Sequence, residues 1–520
     1  PTPLPQRPRE VAPQVVPMSK ENLYIKSLSN SRLNFHIQNL IPVRDEIVES
    51  LKPLIDLSDI PKPSLMAEMV VKELRERLHV VTISRKDRRI GTYVYNNGIY
   101  VEGGDALRRL FYDVLNGLGV TTRISRYGSY ISDFERILED STLADAEFDE
   151  HIVIYGDKAF DWRAFIHEDI YKDRPSLFDP SPEIMAVHRV PWRLDQDILM
   201  KDPPRAYDLF QSTTISREFE KWAGDKWELL LEIVGYCLLA GDYPFNKAVM
   251  IYGEENTGKS TFLWLLSKLL GEDNVSNVPL QKLTSEVDRF SAFELYHKMA
   301  NIYADIPRIG IRETGKFKML TGGDRIMAER KFRDPITFMN YAKMIFSANE
   351  LPEVHDTSGA FWRRWIVIRF ENRFEQNPGY GKMLEEELLP REAGKVLSCG
   401  ILAMKNVFLE GRFSFEGTAA DYREEWLRKS NSIYAFLAVG KEEGWLEEGD
   451  GRKERGSDLY DLYVRWCEEE EREAVSRKAF TEEMNRLGYP SKRISGIGHY
   501  MRIRIVGEKL PDALRRGSLA

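Results

Sequence analysis

The chain has 520 residues, too many for one compact core, so two to four domains are expected. Hydrophobic residues at 42% and charged residues at 30% describe an ordinary soluble protein; no apolar run approaches a membrane span, and the N-terminus lacks the charged-then-apolar order of a signal peptide. The net charge of −8 argues against a surface that coats nucleic acid throughout, so any DNA contact needs a local basic feature such as a ring pore or a small module.

The opening "PTPLPQRPREVAPQVVP" starts at Pro1 and reads as a linker, so the chain is expected to be the C-terminal part of a longer polypeptide or an excised piece, with Met18 as the alternative start. Residues 1–60 form this linker and a lead-in. Residues 61–185 mix strands and helices: "GTYVYNNGIYVEGG" (91–104) is a hairpin signal around Asn97-Gly98, and "DALRRLFYDVLNGLG" (105–119) has helical apolar spacing. With "HIVIYGDKAFDW" (151–162) they predict a small α+β domain without evident chemistry. Residues 186–245 turn helical, a collar with Ser216 as a cap and Trp222, Trp227, Leu230 and Leu231 on apolar faces.

Next comes "KAVMIYGEENTGKSTFLWLLSKLL" (247–270), a strand-type run, a loop and a helix ending before Gly271. Gly253, Gly258, Lys259 and Ser260 satisfy G-x-x-x-x-G-K-[ST], the phosphate-cradling pattern. The nucleotide-binding stretch is therefore Gly253, Glu254, Glu255, Asn256, Thr257, Gly258, Lys259, Ser260 and Thr261. Glycines let backbone N–H groups turn inward around a phosphate, Lys259 supplies a point charge, and the Ser260 hydroxyl can ligate Mg²⁺. The expected cofactors are ATP and Mg²⁺.

Downstream, "MANIYADIP" (299–307) is a short strand ending in Asp305, where a Mg²⁺-organising carboxylate belongs, with Ser260 as its fellow metal ligand. "AKMIFSANELP" (342–352) ends in Asn349, an amide able to orient an attacking water. "GAFWRRWIVIRF" (359–370) sets Arg363 and Arg364 before another strand, where an arginine can serve a neighbouring subunit's γ-phosphate or merely pair at a strand edge.

In this order, "GEENTGKST", "ANIYADIP", "GKFKMLTGGDRIMAERKF", "IFSANELP" and "FWRRWIVIRF" resemble the superfamily-3 helicases, in particular the phage/plasmid and poxvirus type of primase-helicase, over about residues 190–375. The resemblance implies an α/β fold with an AAA+ type P-loop NTPase core at 246–430, including a helical lid. It also implies a homo-hexameric ring that hydrolyses ATP at subunit interfaces and moves 3′ to 5′ along single-stranded DNA at forks, in the cytoplasm of a host cell. Under it Lys259 and Ser260 bind phosphate and Mg²⁺, Asp305 is the Walker B acid, Asn349 the sensor, and Arg364, ahead of Arg363, the arginine finger. An upstream primase-polymerase domain of the same polypeptide is a further implied partner, although no paired-carboxylate signature precedes residue 190, and "DAEFDEH" (145–151) reads as a loop.

Between acid and sensor, "RIMAERKFRDPITFMN" (325–340) can be drawn as a hairpin turning near Asp334-Pro335, with Arg330, Lys331 and Arg333 by its tip. Six copies would line a pore with positive charge. Similar helicases carry a lysine there, which Lys331 matches. The pattern departs from many relatives where Ile306 and Pro307 follow Asp305 instead of a second acid; Glu294 and Glu313 are the alternative general bases.

Residues 431–520 read as winged-helix-like: helices at 457–471 and 476–488, then a strand pair at 492–505, with Lys478, Lys492, Arg493, Arg502 and Arg504 available to DNA and the acidic "CEEEERE" pointing instead to protein. Cys237, Cys399 and Cys467 are too dispersed for a disulfide framework or a zinc pattern, and the eight histidines are scattered. The competing functions are a replication initiator or scaffold that unwinds poorly and a P-loop phosphotransferase.

Overall fold

A computed structural model describes residues 40–515 apart from 86–87, 123–126, 145, 308, 331–332, 355, 357 and 376, without the side chains of 84–85, 88–90 and 333–334. The chain is mixed α/β. Its contacts divide it into two units, Pro1–Asp149 with Pro180–Val187 and Glu150–Asp179 with His188–Ala520.

In the first unit, α1 (Ile41–Leu51) and α2 (Pro63–Arg77) precede a sheet of β1 (Val80–Arg85), β2 (Arg88–Asn96) and β3 (Ile99–Glu102). The expected hairpin forms: Asn96 pairs with Ile99, and Asn97 and Gly98 take positive φ of 49° and 92°, the twist that suits a two-residue turn. Then come α3 (Gly104–Gly117), α4 (Tyr127–Thr142) and β4 (Leu143–Ala144), giving the order β3-β2-β1-β4. Leu107, Leu110, Phe111 and Val114 are the buried stripe of α3, and Phe111 stacks on Phe134 of α4.

The second unit opens with β5 (Ile152–Tyr155), β6 (Lys158–Asp161), β7 (Leu177–Phe178) and β8 (His188–Val190), ordered β7-β6-β5-β8. Residues 150–179, expected with the N-terminal block, pack here because Val153, Tyr155, Phe160 and Trp162 join the larger apolar core. After two short helical segments come α5 (Ile215–Ala223) and α6 (Trp227–Leu238). Ser216 lies inside α5 rather than capping it. The Glu392 carboxylate does that work, accepting the N–H groups of Thr214 and Ile215 at 2.9 Å each, a partner remote in sequence.

The centre is a parallel sheet. Along the chain run β9 (Ala248–Tyr252), α7 (Lys259–Leu270), β10 (Val275–Ser276), β11 (Ala300–Tyr303), α8 (Gly315–Leu320), the hairpin β12 (Arg325–Arg330) and β13 (Arg333–Met339), β14 (Lys343–Ala348) and β15 (Trp365–Arg369). The sheet order is β10-β11-β14-β9-β15, every pair parallel. Continuous runs such as "AVMIY" are what a strand covered on both faces requires, and all five residues are buried.

Beyond it, α9 (Leu389–Glu410) crosses α6 so closely that a Cβ on Gly235 would stand 2.0 Å from the Gly400 carbonyl oxygen. Next, α10 (Ala419–Ser430) starts from a capping box of Thr418 and Asp421. The C-terminal segment has its own apolar cluster: α11 (Ser432–Glu442), β16 (Leu446–Arg455), α12 (Gly456–Glu469), α13 (Arg477–Arg486), β17 (Ser491–Ile494) and β18 (Ile497–Ile505), with strand order β16-β18-β17. No helix of the described residues is long and apolar enough to cross a membrane.

Candidate active site

The loop from Gly253 to Gly258 joins β9 to α7, and its glycines are sterically required. A Cβ on Gly253 would meet the Phe370 carbonyl oxygen at 2.2 Å; one on Gly258, where φ is 90°, would meet Cδ1 of Trp222 at 2.3 Å. Asn256 takes the left-handed conformation at φ 61°, which an Asn tolerates. Thr257 closes the loop on itself, its hydroxyl donating to the Glu254 carbonyl at 2.9 Å. Lys259 is 4% exposed and its Nζ donates to the carbonyls of Gly253 at 2.7 Å and Glu254 at 2.5 Å. Burial lowers the pKa of this ammonium, while the nearby carboxylates of Asp305 and Glu255 favour its charged form. Ser260 is exposed in the first turn of α7, Thr261 half-buried behind it, and Glu254 and Glu255 face solvent.

Parallel register brings the other candidates to the same edge. Tyr303 pairs with Phe346 and Ala348 pairs with Tyr252, so the C-terminal ends of β11, β14 and β9 lie side by side. The Asp305 amide approaches the Ser347 hydroxyl at 3.4 Å, with Asp305 itself at φ 55°, and the Gly253 amide donates to the Ala348 carbonyl at 3.3 Å. Asn349, the next residue, is exposed there. The edge thus holds a helix N-terminus, a glycine cradle, an ammonium, a hydroxyl, a carboxylate and an amide. The chemistry of that donor set fits a polyphosphate accompanied by a hard cation, for which Ser260 and Asp305 would offer oxygens.

The arginines are at the other edge. Trp365 pairs with Ala248 at the start of β9, so Arg363 and Arg364 stand roughly a strand length, ~15 Å, from the loop of their own chain. They differ in kind. Arg364 is 8% exposed; its guanidinium donates to the Thr321 hydroxyl at 2.9 Å, to the Lys318 carbonyl at 3.2 Å and to the Ala360 carbonyl. Arg363 is exposed. Arg364 is thus engaged within its own chain, and Arg363 is the one of the two turned to solvent.

The hairpin forms, but Asp334 and Pro335 lie within its second strand rather than at its turn. Arg330 pairs with Arg333 and Ala328 with Ile336, which places Asp334 and Pro335 inside β13, both opposite Glu329. This bulge is where a strand can tolerate a proline that has no N–H to give. Arg330 lies over the Phe293 ring at 5.5 Å; Lys331 is outside the described residues, as is the side chain of Arg333. Of the alternative bases, Glu294 follows Phe293, whose ring lies under Arg330 of the hairpin, and Glu313 accepts the Glu286 amide at 3.3 Å.

Three supports of this edge have no signature in the sequence. Trp222 of α5, buried among Phe219 and Phe262, backs Gly258. Residues 370–374 run along the loop, with the Phe374 amide donating to the Asn256 carbonyl at 2.8 Å and Arg373 paired with Glu254 at 2.9 Å. On α10, Glu425 accepts the Tyr252 hydroxyl at 2.7 Å and Trp426 donates to the Pro352 carbonyl at 2.7 Å, holding the residues flanking the loop and Asn349. Only long-range contacts expose them.

Residues 251–364 match the family described as "Family of unknown function (DUF5906)", a span that includes every candidate from Gly253 to Arg364. A stretch of 170 residues, 32% of this chain, is 31% identical to the Acanthamoeba polyphaga mimivirus protein named "Putative helicase L207/L206" and covers 17% of that protein. The chain thus spans under a fifth of its relative, by that 17% figure. Among solved structures, the A form apo structure of the NrS-1 C terminal region is 12% identical, with 85% of this chain and 100% of that one aligned at a TM-score of 0.40. Another apo structure of the NrS-1 C terminal region is 11% identical over 86% of this chain and 100% of that one, at a TM-score of 0.36. Such distant likenesses carry no inference about function.

Proposed function

We propose that the chain is an ATP-dependent DNA helicase of superfamily-3 type, working as a homo-hexameric ring on single-stranded and forked DNA during replication of a virus, plasmid or integrated element. The observation that carries this reading is the opposition of two edges of one parallel sheet. Lys259, Ser260, Asp305 and Asn349 gather at one edge, while Arg363 and the β12–β13 hairpin belong to the other. An arginine that cannot reach its own loop can serve a neighbour's, which favours head-to-tail rings.

The strand order supports an AAA+ type core, with the loop leaving β9 between β14 and β15. Helix, strand, two helices and two strands in the C-terminal segment support a winged-helix reading. The relative named as a helicase supports the activity. ATP supplies the phosphoanhydride and Mg²⁺ offsets its charge; the chain's part is to bind with the Gly253–Thr261 loop, orient water with Asn349 and lend Arg363 across the interface. Arg330, Lys331 and Arg333 would grip the DNA backbone.

One observation favours a second reading, an initiator or scaffold that hydrolyses slowly. Asp305 is followed by the buried Ile306 and by Pro307, so the strand offers no adjacent second acid. Steady-state ATP hydrolysis with and without single-stranded DNA, against a Lys259→Ala blank, tests the main proposal, and strand displacement on a fork separates the two. DNA-stimulated turnover without displacement would select the second reading; turnover indifferent to DNA would overturn both.

A further inference from the structure

We propose that the outer face of the β16-β18-β17 sheet binds duplex DNA through Lys453, Arg455, His499 and Lys492. Arg455 pairs with His499, which pairs with Lys492, so these side chains form one row across three strands, spanning ~10 Å. Lys453, two residues before Arg455, stands on the same face. The neighbouring Tyr500 points the other way, its ring against Phe480 of α13 and its hydroxyl 2.8 Å from that of Thr481. The row is therefore the face turned away from the helices.

Its charge is uncompensated. Two other cations of this sheet are paired, Arg502 with Asp450 and Arg452 with Glu447, while Arg493 and Arg504, like the row, form no ion pair among the described residues. The cations of α13 are paired too: Arg477 with Asp461, Lys478 with Glu482 and Arg486 with Glu483. Lys453, Arg455 and Lys492 form no ion pair among the described residues, and Arg455 and Lys492 are exposed. A polyanion matches that arrangement. No Phe, Tyr or Trp of the three strands stands on this face, whereas single-strand sites depend on aromatic platforms for bases. Contact restricted to phosphates is the duplex mode. At the hairpin tip, Ser495 and Gly496 turn with positive φ and leave Ile497 40% exposed, an apolar point of the kind that enters a minor groove.

The test uses the full chain without nucleotide, so that its outcome is independent of ATP turnover. Fluorescence anisotropy would follow binding to a duplex of about 20 base pairs and to one of its single strands, from about 50 to 200 mM salt. The combined variant Lys453→Glu, Arg455→Glu, Lys492→Glu is expected to weaken duplex binding at least ~10-fold and to make the salt slope shallower by ~3, with single-strand binding little changed. A charge-matched control on α2 and the residue before it, Lys62→Glu, Lys72→Glu, Arg75→Glu, should leave duplex binding intact. Absent duplex binding, an unchanged triple variant, an equal loss in the control, or an equal loss for the single strand would each overturn the proposal.

Discussion

Gly258 and Trp222 are in contact by necessity: the loop's second glycine lies so close to the indole that a Cβ would come within 2.3 Å of Cδ1. A helix from the region ahead of the sheet thereby sets the height of the Gly253–Gly258 loop. Trp222→Ala is expected to cost ~3–5 kcal/mol of stability and to weaken binding of a fluorescent ATP analogue more than Trp222→Phe does. Equal nucleotide affinity in both variants would leave Trp222 as core packing alone.

Arg363 and Arg364 should separate cleanly. Arg363→Ala is expected to keep the wild-type melting temperature and nucleotide affinity while losing ~10³-fold in hydrolysis. Mixing it with Lys259→Ala subunits should restore turnover at mixed interfaces. Arg364→Ala should instead melt earlier, because Thr321, Lys318 and Ala360 lose their donor.

Lys343 gives the fold a pH dependence. It is fully buried at the start of β14, its Nζ donating to the carbonyls of Leu239, Asp242 and Tyr341 and lying between the Tyr236 and Tyr243 rings. Burial pushes its pKa down to about 7 from an unfolded value of 10.5. A depressed folded pKa means that the unfolded chain binds the extra proton, so this group's contribution rises with pH above about 7 and is lost as pH falls through it. Between pH 7 and 9 the wild type should gain about 2 kcal/mol relative to Lys343→Met, measured by urea unfolding at each pH. A constant difference between the two proteins would sink the assignment.

The crossing of α6 and α9 leaves no room for a methyl group. Gly235→Ala, with its Cβ against the Gly400 carbonyl, should destabilise the second unit by ~3 kcal/mol or more in chemical denaturation. Gly224→Ala, which has open space around it but a positive φ of 57°, should cost less, by backbone strain of ~1–2 kcal/mol.

The hairpin prediction concerns coupling. Arg330→Ala with Lys331→Ala should leave basal hydrolysis intact and remove its stimulation by single-stranded DNA. Retained stimulation would move the DNA contact elsewhere in the chain.

Local patterns carry over well. Asn97-Gly98 closes a hairpin because only its residue types accept the required φ, and 259–270 is helical because its apolar residues repeat at one face's spacing. The placement of Gly253, Asp305 and Asn349 just after short buried strands, and of Lys259 at the start of a helix, was legible for the same reason. What sequence could not decide is which edge of the sheet each residue occupies and how its side chain is engaged. Strand register put Asp305 and Asn349 beside the loop and Arg363 and Arg364 across from it. Burial then distinguished two adjacent arginines, a pairing offset moved the hairpin turn away from Pro335, and Glu392, distant in the chain, replaced Ser216 as a cap. These outcomes depend on contacts between residues far apart in sequence, which packing chooses and periodicity does not encode.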